Sequence, residues 1–215
     1  MSVIPNHVTE VLPVVDSSAS LLEKINNAPL SQVGNTPLLK LSALTAHLPD
    51  AVSVYAKAEH MNPSGSVKDR TGLYIIREAI KAGDLREGVT LIDSTSGNTG
   101  ISYAMICAAL SIPVEIAMPE SASEERKQTL RSYGARVTLT DAELGSDGAQ
   151  QYVRAKMKSN EGDYFYADQY NNDANWMAHF EGTGAEIIEQ TDGRITHFIA
   201  GVGTTGTFVG ASRRR

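Results

Sequence analysis

The sequence has 215 residues, with 19 lysines and arginines against 25 aspartates and glutamates, and therefore a formal net charge of −6. This acidic balance argues against a nucleic-acid binder, because such a protein needs a positive surface to neutralise phosphates. The 41% hydrophobic and 20% charged residues are typical of a globular chain of one or two domains. The first residues lack a basic region before an apolar block, and Pro113 breaks the longest uncharged stretch, 94–114. We therefore expect neither a secretory signal nor a membrane span.

The single cysteine, Cys107, lies in an apolar stretch and is expected to be a small buried hydrophobe. One cysteine permits no intramolecular disulfide, so nothing indicates an oxidising compartment, and we expect a cytoplasmic location. The five histidines and the cysteine do not have the spacing of metal ligands, so no metal site is predicted.

Strand-like and helical patterns alternate along the chain after an N-terminal arm. Apolar spacing predicts a short helix at 21–25 and strands at 38–41 and 52–58. Helices are then expected at 66–81, 101–110, 123–133, 148–157 and 175–189, and strands at 89–92, 112–118, 135–140, 164–166 and 195–200. This alternation indicates βαβ units, and therefore an α/β fold with a parallel sheet covered on both faces.

Ligands of open parallel sheets bind beyond the carboxyl ends of the strands, so the loops at those ends are where we look for chemistry. The first such loop, NPSGSVKDR at 62–70, places Lys68 in the first turn of a helix, where the helix dipole disfavours a cation. An amine in that position should have a lowered pKa and suits a nucleophile or Schiff-base lysine. The alternative is a surface lysine that happens to begin a helix.

Two further loops offer hydrogen-bond donors to anions. STSGNTG at 94–100 has hydroxyls, backbone N–H groups and the Asn98 amide, typical of a carboxylate or phosphate site, although a plain polar turn is the alternative. GVGTTGT at 201–207 contains GxGxxG, but a dinucleotide site wants an acidic residue about 20 residues further on, and the chain has no such position. Its threonines favour one compact phosphate. An amine, a carboxylate site and a phosphate site together are what pyridoxal phosphate needs to act on an amino acid.

The motifs also resemble those of a known family. AEHMNPSGSVKDR, DSTSGNTG, DQYNNDAN and THFIAGVGTTGT, with GNTPLLKL near the start, are similar to the fold type II pyridoxal-phosphate enzymes of the cysteine synthase and cystathionine β-synthase family. The resemblance runs from about Leu21 to the end of the chain. It implies two open parallel-sheet, Rossmann-like subdomains with the cofactor cleft between them. Residues 38–172 would form the substrate-loop subdomain, 21–37 with 173–215 would be part of the cofactor subdomain, and 1–20 would be an arm.

The resemblance implies a role for each motif residue. Lys68 would bond covalently to pyridoxal 5'-phosphate and later move the substrate's α-proton, and Asn98 would hydrogen-bond the cofactor's ring hydroxyl. A carboxylate cradle for the amino-acid substrate would consist of Thr95, Ser96, Thr99 and Gln169. A phosphate cradle for the cofactor would consist of Gly203, Thr204, Thr205, Gly206 and Thr207.

The implied reaction is β-replacement, in which an activated serine loses its α-proton and β-leaving group, and sulfide or another sulfur donor adds to give L-cysteine. The run Gly203-Thr-Thr-Gly206 has a threonine where many cysteine synthases have glycine, which looks like the B-type enzymes, some of which accept O-phosphoserine rather than O-acetylserine. Condensation of serine with homocysteine, as in cystathionine β-synthase, stays an alternative, as does a catalytically impaired binding module. A nicotinamide dehydrogenase is disfavoured for the reasons given above. The family also implies a homodimer.

Family members continue well beyond the equivalent of Arg215, so the resemblance implies a C-terminally truncated chain with an incomplete second subdomain. It would lack a serine that hydrogen-bonds the cofactor's pyridine nitrogen. We also expect under-burial of apolar side chains that later strands would cover, namely Ile187, Ile188, Phe198 and Ile199.

Overall fold

The computed structural model describes residues 18–160 and 162–214, so almost all of the predicted arm at 1–20 lies outside the described residues. The strands found there are β1 (Leu38–Lys40), β2 (Tyr55–Lys57), β3 (Thr90–Ser94), β4 (Val114–Pro119), β5 (Arg136–Thr140) and β6 (Tyr164–Tyr166). β1 and β2 form an antiparallel pair, and the other four form a parallel sheet in the order β5-β4-β3-β6. The predicted α/β fold with a parallel sheet is therefore confirmed.

The α-helices of the described residues are α1 (Ser18–Ile25), α2 (Lys68–Ala82), α3 (Asn98–Leu110), α4 (Glu124–Ser132), α5 (Gly145–Ser159), α6 (Ala174–Ala178), α7 (Ala185–Gln190) and α8 (Gly206–Arg213). Short 3₁₀ turns lie at Leu30–Gln32 and Glu59–Met61, and a π-helix spans His179–Gly184. None of the helices in the described part of the chain is long and apolar enough to cross a membrane.

Apolar residues of the parallel sheet face helices on both sides. Leu91 and Ile116 belong to the main core, which contains the buried faces of α2 and α3. The next residues along each strand, Ile92 and Ala117, point to the opposite face and pack with Ala149 and Val153 of α5. Cys107 of α3 is fully buried in the main core, as predicted.

The strand predicted at 195–200 is wrong, because no strand forms there. The prediction relied on the apolar run Ile195-Thr-His-Phe-Ile-Ala200 alone. A strand also needs a neighbour whose N–H and C=O groups pair with its own, and none of the strands within 18–160 and 162–214 pairs with this segment. Ile199 is 93% exposed, as expected, whereas the expectation was wrong for Ile187, which is only 7% exposed.

The helix predicted at 175–189 exists but is not one continuous α-helix. α6 runs into the π-helix His179–Gly184, and α7 follows directly. α8 packs closely on this region: a Cβ on Gly184 would lie 2.8 Å from the Cβ of Arg214 and 3.1 Å from the Cα of Ala211. A one-turn π-segment does not change the apolar pattern enough to be read from sequence, although such segments are frequent at functional sites.

Candidate active site

A cavity of about 380 Å³ lies at the carboxyl edge of the parallel sheet. All three predicted loops contribute to its wall. Lys68 comes from the start of α2, residues 94–99 come from the loop after β3, and Gly203 and Thr204 come from the loop before α8. Gln169, which follows β6, completes the set. The predicted amine, the predicted carboxylate cradle and two residues of the predicted phosphate cradle therefore line one cavity.

Lys68 is the first residue of α2, and its half-buried side chain lines the cavity. The turn before it is held by the helix itself, because the Asp69 carboxylate accepts the N–H of Ser64 at 2.6 Å and the N–H of Lys68 donates to Ser66 Oγ at 3.2 Å. Burial lowers the pKa of the Lys68 amine. A larger fraction of this amine is then uncharged at neutral pH, which is the form that acts as a nucleophile.

The carboxylate cradle is built from two loops that follow neighbouring strands, β3 and β6. The Thr99 hydroxyl donates to Gln169 Oε1 at 2.8 Å, and each of the two residues is only 3% exposed. Thr95, Ser96 and Asn98 line the same part of the wall. Since Oε1 of Gln169 accepts the Thr99 hydroxyl, the NH₂ group of Gln169 is the donor that it can offer to an anionic ligand.

Asn175 joins the two cradles, although the sequence analysis quoted it only as part of the DQYNNDAN motif. Its side-chain NH₂ donates to the backbone oxygen of Gln169 at 2.7 Å and to the Thr204 hydroxyl at 2.8 Å. Its Oδ1 accepts the Thr71 hydroxyl at 3.2 Å. Asn175 is buried, so these hydrogen bonds fix the relative positions of α2, the loop after β6 and the loop before α8.

The phosphate cradle only partly lines the cavity, since Thr205, Gly206 and Thr207 are not in its wall. Thr205 caps α8 with a left-handed φ of 66°, which is unusual for a β-branched residue. Gly206 is needed for close approach, because a Cβ there would lie 2.2 Å from Oδ1 of Asn175. The Thr207 hydroxyl lies 3.2 Å from Nε2 of His179.

His179 was not identified by the motifs, yet it lies fully buried next to the site. Its Nε2 lies 3.1 Å from the Thr71 hydroxyl, and its Nδ1 lies 2.9 Å from the Thr183 hydroxyl. Burial, with the positive charges of Lys68 and Arg70, lowers the pKa of His179 to about 3, so the ring is neutral. The sequence signal was weak: His179 and Thr183 are four residues apart, which places them on one face of a helix.

A buried ionic network anchors the start of α2 two residues after Lys68. Arg70 donates to Glu59 from Nε at 2.8 Å and to Glu186 from Nη1 at 2.6 Å. Glu186 also accepts Lys57 Nζ at 2.5 Å and the Asn35 N–H at 2.9 Å. Burial raises the pKa of Glu186, but the hydrogen bonds from Arg70 and Lys57 outweigh it and lower the pKa to about 2. The network ties α2 to α7 and to the turn at 34–36.

Comparison with known proteins decides the family. The sequence profile of the family described as "Pyridoxal-phosphate dependent enzyme" matches residues 30–214. The chain belongs to this family. The resemblance predicted from the motifs is thereby confirmed, and the family name gives the cofactor.

Relatives of this chain are named cysteine synthases. Cysteine synthase from Aquifex aeolicus (strain VF5) is 51% identical over 192 residues, which are 89% of this chain and 59% of the relative. Cysteine synthase B from Escherichia coli (strain K12) is 47% identical over 84% of this chain and 58% of its own length. The crystal structure of cysteine synthase from Entamoeba histolytica has a TM-score of 0.82 and 36% identity, covering 100% of this chain and 60% of that one. This chain thus spans less than two thirds of the length of these relatives.

The cavity has a donor set that fits pyridoxal phosphate. A lysine with a lowered pKa lines it, and hydroxyls lie at the N-terminus of α8, where a phosphate is favoured. No aspartate or glutamate is among the described residues of the wall, so an anionic ligand meets no like charge there. Wall residues outside the quoted motifs are Pro119, Arg126, Ser146, Ala149 and Gln150.

Proposed function

We propose that this protein catalyses pyridoxal-phosphate-dependent β-replacement, converting O-acetylserine or O-phosphoserine and sulfide or another sulfur donor into L-cysteine. The observation that carries the proposal is the single cavity in which the Lys68 amine, the carboxylate cradle and part of the phosphate cradle meet. The names of the relatives support the same reaction. Association as a homodimer in the cytoplasm belongs to this proposal and rests on the family resemblance alone.

The cofactor would be held by three groups of this chain. Lys68 would bond to it covalently, Asn98 would hydrogen-bond its ring hydroxyl, and the phosphate cradle would bind its phosphate. When bound, pyridoxal phosphate delocalises the negative charge that develops at the substrate's α-carbon. Lys68 Nζ would take the proton from that carbon, for which a lowered amine pKa is suited.

The carboxylate cradle would orient the amino acid for this proton transfer. Its donors are uncharged, namely the hydroxyls of Thr95 and Ser96 and the NH₂ group of Gln169, which Thr99 orients. The Thr99–Gln169 hydrogen bond holds this amide in place before the substrate binds, which reduces the ordering that binding would otherwise require. A bound carboxylate would therefore fix where the α- and β-carbons lie relative to Lys68.

Condensation of serine with homocysteine is the alternative that the relatives' names do not favour. We expect an activated serine with sulfide to give cysteine faster than serine with homocysteine gives cystathionine. Side-by-side turnover of these pairs decides between them, and faster cystathionine formation would contradict the assignment.

The decisive experiment tests Lys68 directly. Purified protein mixed with pyridoxal phosphate should develop a visible absorbance band, and borohydride should fix the label on the peptide that contains Lys68. Lys68→Ala should lose the band, the label and cysteine formation, whereas Lys81→Ala, an exposed lysine of the same helix, should keep all three. A label on another lysine would remove the assignment of Lys68. A normal label with no turnover of any activated serine would favour a binding module.

A further inference from the structure

A buried acid, Asp93, lies between the two loops that form the carboxylate cradle. It is the residue before the loop at 94–100, near the carboxyl end of β3. The neighbouring parallel strand, β6, leads into the loop that carries Gln169. Asp93 is only 1% exposed and is not a residue of the cavity wall, so it lies behind the cradle rather than in it. A charge in that position is costly to bury unless it is paired.

The carboxyl group of Asp93 touches both loops. Its Oδ1 accepts the N–H of Ser94 at 2.7 Å, and Ser94 lines the cavity. The N–H of Gln169, on the other loop, faces the same carboxyl group and lowers the pKa of Asp93. Its Oδ2 is buried without a hydrogen-bond partner among the described residues, as are the hydroxyls of Ser94 and Tyr103. An oxygen placed in this way is better tolerated when the group is protonated and neutral than when it is charged.

The ionisable groups around Asp93 offer it no counter-ion. They are Tyr103 on α3, Tyr166 on β6 and Asp168 in the loop after β6, none of which is a cation. Burial raises the pKa of Asp93, the hydrogen bond from Ser94 opposes this, and the charge of Asp168 adds to the rise, so that the pKa is about 7. Asp93 therefore changes from neutral to charged between about pH 6 and pH 8.

We propose that Asp93 is a positioning residue of the carboxylate cradle, and that the cradle binds an amino-acid carboxylate tightly only while Asp93 is protonated. This inference rests on the proposed function, since it assumes that the cradle holds the substrate carboxylate. A neutral Asp93 accepts the Ser94 N–H and places no charge behind the cradle. A charged Asp93 repels the substrate carboxylate, and the uncharged donors of the cradle do not cancel that repulsion.

The test compares the unaltered protein with Asp93→Asn, in which an amide of the same size replaces the carboxyl group and cannot lose a proton. The probes are L-alanine, an amino acid with no β-leaving group, and L-alaninamide, in which a neutral amide replaces the carboxylate. Each is titrated into the pyridoxal-phosphate-loaded proteins between pH 5.5 and pH 8.5, and binding is followed by absorbance. The ratio of the affinities of the two proteins at each pH removes the titration of the probe's own amine, because both proteins meet the same probe.

The unaltered protein should lose about tenfold in alanine affinity, relative to Asp93→Asn, as the pH rises through about 7. The ratio for alaninamide should stay constant, since this probe has no carboxylate to repel. Asp168→Asn should move the midpoint of the alanine effect to lower pH, because the charge of Asp168 raises the pKa of Asp93. Asp84→Asn, at an exposed aspartate, should leave the midpoint where it is.

Two results would overturn the inference. One is an alanine ratio that stays constant with pH, which would show that the charge of Asp93 does not reach the cradle. The other is the same change for alaninamide as for alanine, which would place the effect of Asp93 on the cofactor or on Lys68 instead. Failure of the proposed function has a different signature, namely no label on Lys68 and no cysteine from either activated serine.

Discussion

The hydroxyl of Thr207 lies 3.2 Å from Nε2 of His179, so a residue of the phosphate cradle contacts a buried imidazole that no motif identified. The same nitrogen lies 3.1 Å from the hydroxyl of Thr71, which is on α2 three residues after Lys68. His179 therefore connects the helix that begins with the amine to the helix that begins with the phosphate cradle. Because a charged ring would be buried without a counter-ion contact here, this connection depends on a neutral His179.

Protonation of His179 should destabilise the fold in mild acid. Its pKa is about 3 in the folded protein and near 6.5 when unfolded, so the unfolded chain binds this proton first as the pH falls. The stability contributed by the neutral ring is complete above pH 6.5 and is lost as the pH falls toward 3. In urea unfolding we expect the free energy of unfolding to decrease, relative to His179→Gln, by about 0.7 kcal/mol between pH 7 and 6 and by about 1.2 kcal/mol between pH 6 and 5. His197→Gln, at an exposed histidine, should keep the full decrease, and equal slopes in all three proteins would contradict the prediction.

The two cradles should respond differently to truncation. Thr95→Ala and Gln169→Ala should weaken amino-acid binding more than cofactor binding, since the proposed partner of both residues is the substrate carboxylate. Gln169→Ala should have the larger effect, because it also leaves the buried Thr99 hydroxyl without its acceptor. Thr207→Ala should weaken cofactor binding more. Spectral titrations with cofactor and with amino acid check this, and equal losses for both ligands would show that the cradles are assigned wrongly.

The sequence was most informative where one local pattern determined the structure. The apolar run at 112–118 predicted a strand, and β4 is buried along nearly all of its length. The strand at 164–166 has the bounds predicted for it. Thr95 and Gln169 line one cavity because their loops follow β3 and β6, which are parallel neighbours. Lys68 and Gly203 reach the same cavity from the start of α2 and from the loop before α8.

Features that depend on distant contacts could not be read from the sequence. Whether 195–200 forms a strand depends on a paired neighbour, and apolar residues alone do not report one. The burial of His179 results from α2 and α8 packing against the π-helix. Thr71 of α2, which contacts His179, lies 108 residues away along the chain. Arg126 reaches the cavity through the fold, since nothing near it in sequence belongs to a quoted motif.

The close packing of α8 at Gly210 leads to a prediction about the stability of the fold. A Cβ on Gly210 would lie 2.2 Å from the backbone oxygen of Trp176 and 2.8 Å from the backbone nitrogen of Phe180. Alanine usually stabilises a helix relative to glycine by up to about 1 kcal/mol, but here backbone atoms would have to move. We expect Gly210→Ala to lower the free energy of unfolding by about 1–3 kcal/mol. Gly201→Ala is the matched control, since nothing lies within 4 Å of a Cβ there, and a stabilised Gly210→Ala would refute the close approach.

Asp93 is a buried carboxyl group at the carboxyl end of β3, directly before the loop at 94–100. It is 1% exposed, and its Oδ1 accepts the N–H of Ser94 at 2.7 Å. Burial raises the pKa of Asp93 to about 7, the Ser94 hydrogen bond opposes this, and the negative charge of Asp168 adds to it. Ser94 and Asp168, two of the groups that influence this carboxyl, belong to the two loops of the carboxylate cradle, so its ionisation changes the charge beside the proposed substrate site.

Asp93 should make the protein less stable as the pH rises through neutrality. The folded state retains a proton on Asp93 up to about pH 7, whereas the unfolded chain releases it near pH 3.8, so unfolding is favoured by rising pH throughout this window. Asp93→Asn keeps the shape of the protonated group and cannot ionise. Between pH 4 and pH 8 we expect this variant to gain stability relative to the parent protein by up to about 4 kcal/mol, the equivalent of the shift in pKa. Denaturant unfolding at each pH measures the difference, with Asp84→Asn, at an exposed aspartate, as the control. A difference between Asp93→Asn and the parent that stays constant with pH would show that Asp93 ionises alike in the folded and unfolded states.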